Sequence, residues 1–459
     1  MLRMTLLTIT GAMVAFGSFG LNAAHAANPK QPKVLTRIVW QDDDAKVLRT
    51  ADLLDGDTLQ LGPVAMVSGF PQLDAKRQTL VQMEAAQGMV LVGVRDDDDG
   101  KFQSGWVLVD SGVEEEEHGD HSHWHYPKSP RVRASVLDDK QGNPAHLYCY
   151  ENSFFVANDK LNGFTWLNPR SIGAKDEAAA VCRKAAFHQG GGGHITLAAV
   201  EQKVAYATWA GRDGENKGRI DVTLLNPDGN LRIAQTFHLP HGGLHGATAN
   251  AGKVFFAPSD GICWVDAAST AMPPQIHHIS LGKEGEKPRR TGGFTTFEKH
   301  VAFVTGSGDS ATLCFLDATS ASPQVSELSL KFAKGNRPTG LEFVKPRQGS
   351  PLAFVFQDHA ADTEGPYRLT IIAVDPNEDG NWQDAKVHHE LDVGKAKVEG
   401  HGGHHCVAFD DDRRRAIFTN PGDGTISILS LSDFKIVAQF SVSGTPSKLV
   451  ALGGRGSNH

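Results

Sequence analysis

The sequence predicts an all-β chain folded as a single β-propeller of eight four-stranded blades, with seven blades as the alternative count. Three observations carry this expectation: a four-strand unit that recurs, turn residues that punctuate it, and two chain ends that complement each other.

The recurring unit is clearest in two copies. One runs through His245-Gly-Ala-Thr-Ala, Lys253-Val-Phe-Phe-Ala, Gly261-Ile-Cys-Trp-Val-Asp266 and Gln275-Ile-His-His-Ile-Ser-Leu281. The next runs through Gly293-Phe-Thr-Thr-Phe, His300-Val-Ala-Phe-Val-Thr, Thr312-Leu-Cys-Phe-Leu-Asp317 and Gln324-Val-Ser-Glu-Leu-Ser-Leu330, starting 48 residues later. Asp-Gly and Gly-Asp-Gly turns separate short runs rich in Val, Ile, Phe and Thr, and long amphipathic patterns are missing. First strands placed at Thr79, Ala145, His194, His245, Gly293, Thr339 and His404 give seven blades. Pro446 to Leu452 would supply the inner strand of an eighth, with Val34–Trp40, Lys46–Thr50 and Thr58–Leu61 as its other strands. Closure of this kind joins the termini and removes the free sheet edges.

Two blades are long because they carry insertions. One insertion spans residues 114–130, and the other includes Asp358 to Glu364. The first lies between Trp106–Asp110 and Arg131–Ser135, so it is expected to connect strands three and four. The turns that lead into first strands open on the opposite face of a propeller, so the loop and the channel histidines make two metal sites, unless the loop folds over the channel and His118 and His121 complete one.

Met1 to Ala26 reads as a secretory signal peptide, with Arg3 ahead of an apolar run and Ala24-His25-Ala26 as the cleavage site. Residues 27–459 then form the propeller domain, expected to be exported and periplasmic. The formal net charge of −8 becomes more negative once Arg3 is removed, which argues against nucleic acid as a partner. Five cysteines, an odd number without a C-x-x-C pair, argue against a disulfide framework and a thiolate metal site. Cys263 and Cys314 occupy the same register of similar segments and read as core residues, while one Cys149–Cys182 disulfide stays open.

The chain's 21 histidines point to metal chemistry. The run Glu114-Glu-Glu-Glu-His118-Gly-Asp-His121-Ser-His123-Trp-His125 places four imidazoles and five carboxylates in twelve residues. His121, His123 and His125 project to one side of an extended chain, where two or three can chelate a borderline-soft ion. Elsewhere, turns deliver a histidine to the start of an inner strand: Asn143-Pro-Ala-His146, Gly190-Gly-Gly-Gly-His194, His241-Gly-Gly-Leu-His245 and His401-Gly-Gly-His404-His405. Inner strands line the central channel, so His146, His194 and His245 fall on three consecutive blades around the axis. Such a set suits tetrahedral Zn²⁺ with a fourth ligand from carboxylate, water or another imidazole. The competing reading is structural, because WD-type propellers use a Gly-His step for hydrogen bonds. His277-His278 and His388-His389 fall in outer strands and carry no expected function. There is no Gly-x-Ser-x-Gly, Walker or H-E-x-x-H motif.

The His118-Gly-Asp-His121 step, Asn143-Pro-Ala-His146 and Leu244-His-Gly246, on an exported propeller, resemble the AztD-type periplasmic zinc metallochaperones. That resemblance implies a non-enzymatic protein that binds Zn²⁺ and hands it to the substrate-binding protein of a zinc ABC importer. It carries zinc binding onto His118, His121, His146 and His245, and extends to His194, His404 and His405. The His/Asp-rich stretch expected close behind the signal peptide in some members is replaced here by Asn28-Pro-Lys-Gln-Pro-Lys33, so the 114–125 loop would take over capture. Two other classes remain open. One is a copper- or zinc-dependent propeller enzyme, since a histidine-lined axis is also similar to the copper-binding domain of nitrous oxide reductase. The other is a protein-interaction scaffold.

Overall fold

The computed structural model describes residues 32–119, 121–229, 232–267, 273–359, 365–399 and 402–457. The signal-peptide segment, Asp120, His401 and residues 360–364 lie outside them.

Eight blades of four antiparallel strands form the propeller. Seven are built in chain order, with inner strands Gln78–Ala86, Leu147–Tyr150, Leu197–Val200, Ala247–Asn250, Thr295–Phe297, Arg337–Val344 and Val407–Phe409. The eighth combines both chain ends: Pro446–Leu452 is innermost, followed by Lys33–Asp42, Val47–Asp55 and Gln60–Leu61, with Ala65–Met66 as an added strand. Arg37 faces Leu452 and Val39 faces Val450 across the closing seam, and Thr36 Oγ1 donates to Leu452 O at 3.1 Å. The Arg37 guanidinium pairs with Asp52 at 2.7 Å and donates to Ser111 O at 2.8 Å, tying the closing blade to the first.

Burial follows position in the blade. Middle strands such as Lys253–Phe256 are buried at every residue because neighbouring blades cover both faces. The outer strands Lys386–Val393 and Ile436–Ser441 are mostly exposed. Cys263 packs towards the third blade with Tyr206 and Phe237, and Cys314 packs towards the fourth with Phe255 and Trp264. Both therefore face the preceding blade, as equal register requires. All five cysteines are free, Cys149 and Cys182 included. Burial pushes the Cys149, Cys263 and Cys314 thiols up to about 12, far from thiolate reactivity.

His300 begins the second strand of the fifth blade and stacks on Trp382 of the sixth, with centroids 3.9 Å apart. It is 3% exposed, its Nδ1 has no hydrogen-bond partner among the described residues, and burial lowers its pKa to about 4. An unfolded imidazole titrates near 6.5 and so takes up the proton first. Stability is therefore complete above about pH 6.5, falls as pH drops below it and has lost on the order of 2–3 kcal/mol from this residue by about pH 4. The variant His300→Phe should lose less of its denaturant midpoint over that interval. Parallel losses in variant and parent would acquit His300.

Candidate metal centre

His146, His194 and His245 stand at the N-terminal ends of the inner strands of the second, third and fourth blades, on the face where blade-to-blade connections arrive. Each chain segment approaches through a tight turn. Gly193 has φ +80°, and a Cβ on Gly192 would meet the Trp209 ring at 2.4 Å, so the four-glycine run lets the backbone lie against that indole.

The three imidazoles converge. Among the described residues they form a group whose donor nitrogens all lie within 4.8 Å of one another. His146 Nε2 is 2.9 Å from His194 Nε2, and the ring centroids are separated by 4.5, 5.0 and 5.8 Å. In a tetrahedral zinc site with bonds of about 2.0–2.1 Å, ligand atoms stand about 3.3 Å apart, so modest side-chain adjustment accommodates an ion.

The other ring nitrogens are held by protein. His194 Nδ1 is 3.4 Å from Asp159 Oδ2, and His245 Nδ1 is 3.1 Å from Gly292 O. Asp159 is 4% exposed, accepts from Ile195 N at 3.0 Å and lies 3.7 Å from Arg95. A carboxylate or carbonyl behind Nδ1 keeps the proton there and leaves Nε2 for a metal. His146 differs. Gln82 Oε1 accepts from Leu147 N at 2.7 Å, which turns the Gln82 amide nitrogen towards His146 Nδ1 at 3.4 Å. That donor favours a proton on His146 Nε2, which then donates to His194 Nε2 until a metal displaces it.

Further along the axis, Glu84, Glu342 and Lys448 sit on inner strands of three blades and interact electrostatically, so they share the channel. Burial raises Glu84 to about 8, with the Glu342 charge adding to it and Lys448 opposing; burial raises Glu342 to about 7.

The remaining histidines lie elsewhere. His404 Nδ1 is 2.8 Å from Asp358 Oδ2. His405 is 1% exposed, stacks on Phe356 at 4.8 Å and places Nε2 2.9 Å from Gly394 O, with burial holding its pKa low. Their blade is the seventh, across the ring from blades two to four, so a shared Gly-His turn does not bring them to the triad.

Glu114–Glu117 and Ser122–His125 pair as a hairpin between strands three and four of the first blade. It packs against the C-terminal segment: Tyr126 Oη donates to Gly454 O at 2.6 Å and Ser457 N to Trp124 O at 3.1 Å. Strand parity puts it on the face opposite the triad, so His118 and His121 do not complete that site. His118, His121 and His123 cluster with centroids 4.8–5.5 Å apart, and His121 Nε2 is 3.2 Å from His123 Nε2. Glu116 joins His125 at 3.2 Å and His118 at 3.4 Å.

No protein-family model matches the sequence, and no curated protein matches it. Solved structures do. AztD from Citrobacter koseri aligns with a TM-score of 0.61 at 17% identity, over 93% of this chain and 100% of that one. The fold is that of AztD. The apo form of AztD from the same organism gives 0.56 at 16% identity with the same coverage. Dihydro-heme d1 dehydrogenase NirN in complex with DHE gives 0.52 at 14%, over 92% of this chain and 75% of that one. The AztD likeness and the NirN likeness are both likenesses of frame, so what this centre does rests on its own side chains. No helix among the described residues is long and apolar enough to cross a membrane.

Proposed function

We propose that this chain is a periplasmic zinc metallochaperone, not an enzyme, which holds Zn²⁺ on His146, His194 and His245 and delivers it by direct contact to the substrate-binding protein of a zinc ABC importer. The observation that carries this reading is the convergence of three imidazoles from consecutive blades, two of them with Nδ1 already turned to a protein oxygen. Rigid strands present the ligands, so ion capture orders little further chain. Likeness of fold to AztD agrees with the reading. The donor to His146 from Gln82 works against the metal-bound tautomer and suits an ion that must be released.

The far-face hairpin, with His118, His121, His123 and His125, is read as a second, exchanging zinc site that gathers ions. The test mixes zinc-loaded protein with an apo periplasmic zinc-binding protein under a chelator that traps free ions. Transfer that outruns trapping supports direct delivery, and transfer no faster than release to the chelator contradicts it. With all four hairpin histidines changed to Ala, tight affinity should hold within about threefold while transfer slows, because the hairpin contributes no ligand to the triad and distant sites act independently. Collapse of tight binding would place the hairpin in the primary site and refute the two-face arrangement.

A further inference from the structure

A second histidine cluster lies on the triad's own face, in the fourth blade. His241 Nε2 is 3.2 Å and His278 Nε2 is 3.4 Å from the same atom, Asp260 Oδ2. The two rings are 5.8 Å apart. Three local features assemble them. Gly261 has φ +142° and a Cβ there would strike Ile279 O at 2.3 Å, so only glycine lets the Asp260 turn rest on the outer strand. His277 stacks on Trp264 at 3.8 Å, which by strand alternation turns His278 the other way. Ser259 N donates to Gly242 O at 3.0 Å, drawing the His241 turn onto the Asp260 turn.

The carboxylate is only half accounted for. Asp260 is 19% exposed, and its Oδ1 is buried with no hydrogen-bond partner among the described residues. The two N···O separations already match the roughly 3.3 Å ligand-to-ligand edge of a tetrahedral zinc site, and half-exposed His241 can swing to close the third edge.

We propose that His241, Asp260 and His278 form a further divalent transition-metal site on the triad's own face, with a position open to water, that passes Zn²⁺ to the triad. His241 and His245 belong to one turn, so the two sites adjoin; the relay role rests on reading the triad as a zinc site, whereas binding at this cluster does not. His241 is half-exposed and must be ordered on binding, whereas the triad's donors already lie within 4.8 Å of one another, so this site is the weaker of the two.

The experiment titrates zinc into the full chain carrying Ala at His118, His121, His123 and His125, which silences the far-face hairpin. Two equivalents are expected, one tight and one weaker. The double variant His241→Gln/His278→Gln should lose the weaker equivalent, keep the tight one and fill it at least about tenfold more slowly. Asp260→Asn, which preserves shape, should weaken the same equivalent, and circular dichroism confirms folding of each variant. A single equivalent in the hairpin-silenced parent, or a weaker equivalent that survives both changes, overturns the proposal. Loss of the tight equivalent only in His146→Ala/His245→Ala keeps the triad reading whatever happens at His278. Persistence of both equivalents in that variant refutes the triad without touching the second site.

Discussion

Replacing His146 and His245 together by Ala should abolish tight zinc binding while the propeller stays folded. Both side chains are part-exposed at the channel mouth, away from the inter-blade clusters that hold the fold. Their loss leaves His194 as one imidazole backed by Asp159. Removing a single orienting partner of a zinc ligand typically costs 10–100-fold in affinity, so removing two of three ligands should cost well over about 100-fold. Chelator competition measures the affinity and thermal unfolding of the apo protein checks the fold. Unchanged affinity would remove the channel site.

The second large effect has opposite signs at two orienting residues. Gln82→Glu puts a carboxylate where an amide nitrogen now faces His146 Nδ1. The carboxylate accepts from Nδ1–H, still accepts from Leu147 N, and frees Nε2 for the metal. Zinc should bind about 10–100-fold more tightly and leave more slowly. Asp159→Asn weakens the acceptor behind His194 and should lower affinity by about 10–100-fold. Both variants are read by chelator competition with stopped-flow release. If both shift affinity the same way, Nδ1 partnering is not what tunes the site.

The eight blades were legible because a propeller repeats: the unit at His245 and the unit at Gly293 share strand order and even the direction in which Cys263 and Cys314 face. Closure was legible from Val34–Trp40 and Pro446–Leu452, two orphan strands at opposite ends of the chain. The triad could be foreseen because glycine turns deliver His146, His194 and His245 to consecutive inner strands. The same turn at His404 delivers an imidazole to the seventh blade, where Asp358 meets it. Gln82 and Asp159 carried no local signal, lying 64 and 35 residues from the imidazoles they orient. Asp260, which meets His278, arrives through a neighbouring turn and so left no signal beside it in the sequence. Hairpin placement was only half legible: strand parity fixes the face on which a strand-three to strand-four connection emerges, but that the hairpin packs on the C-terminal segment rests on Tyr126 and Trp124 meeting residues more than 300 positions away.

The most direct measurement of the central claim is a crystal structure of the zinc-loaded protein with diffraction recorded on both sides of the zinc absorption edge. A zinc-specific anomalous peak should lie about 2.0–2.1 Å from a nitrogen of each of His146, His194 and His245. A fully loaded crystal with no such peak between these three rings, its zinc held only on the far-face hairpin, would contradict it.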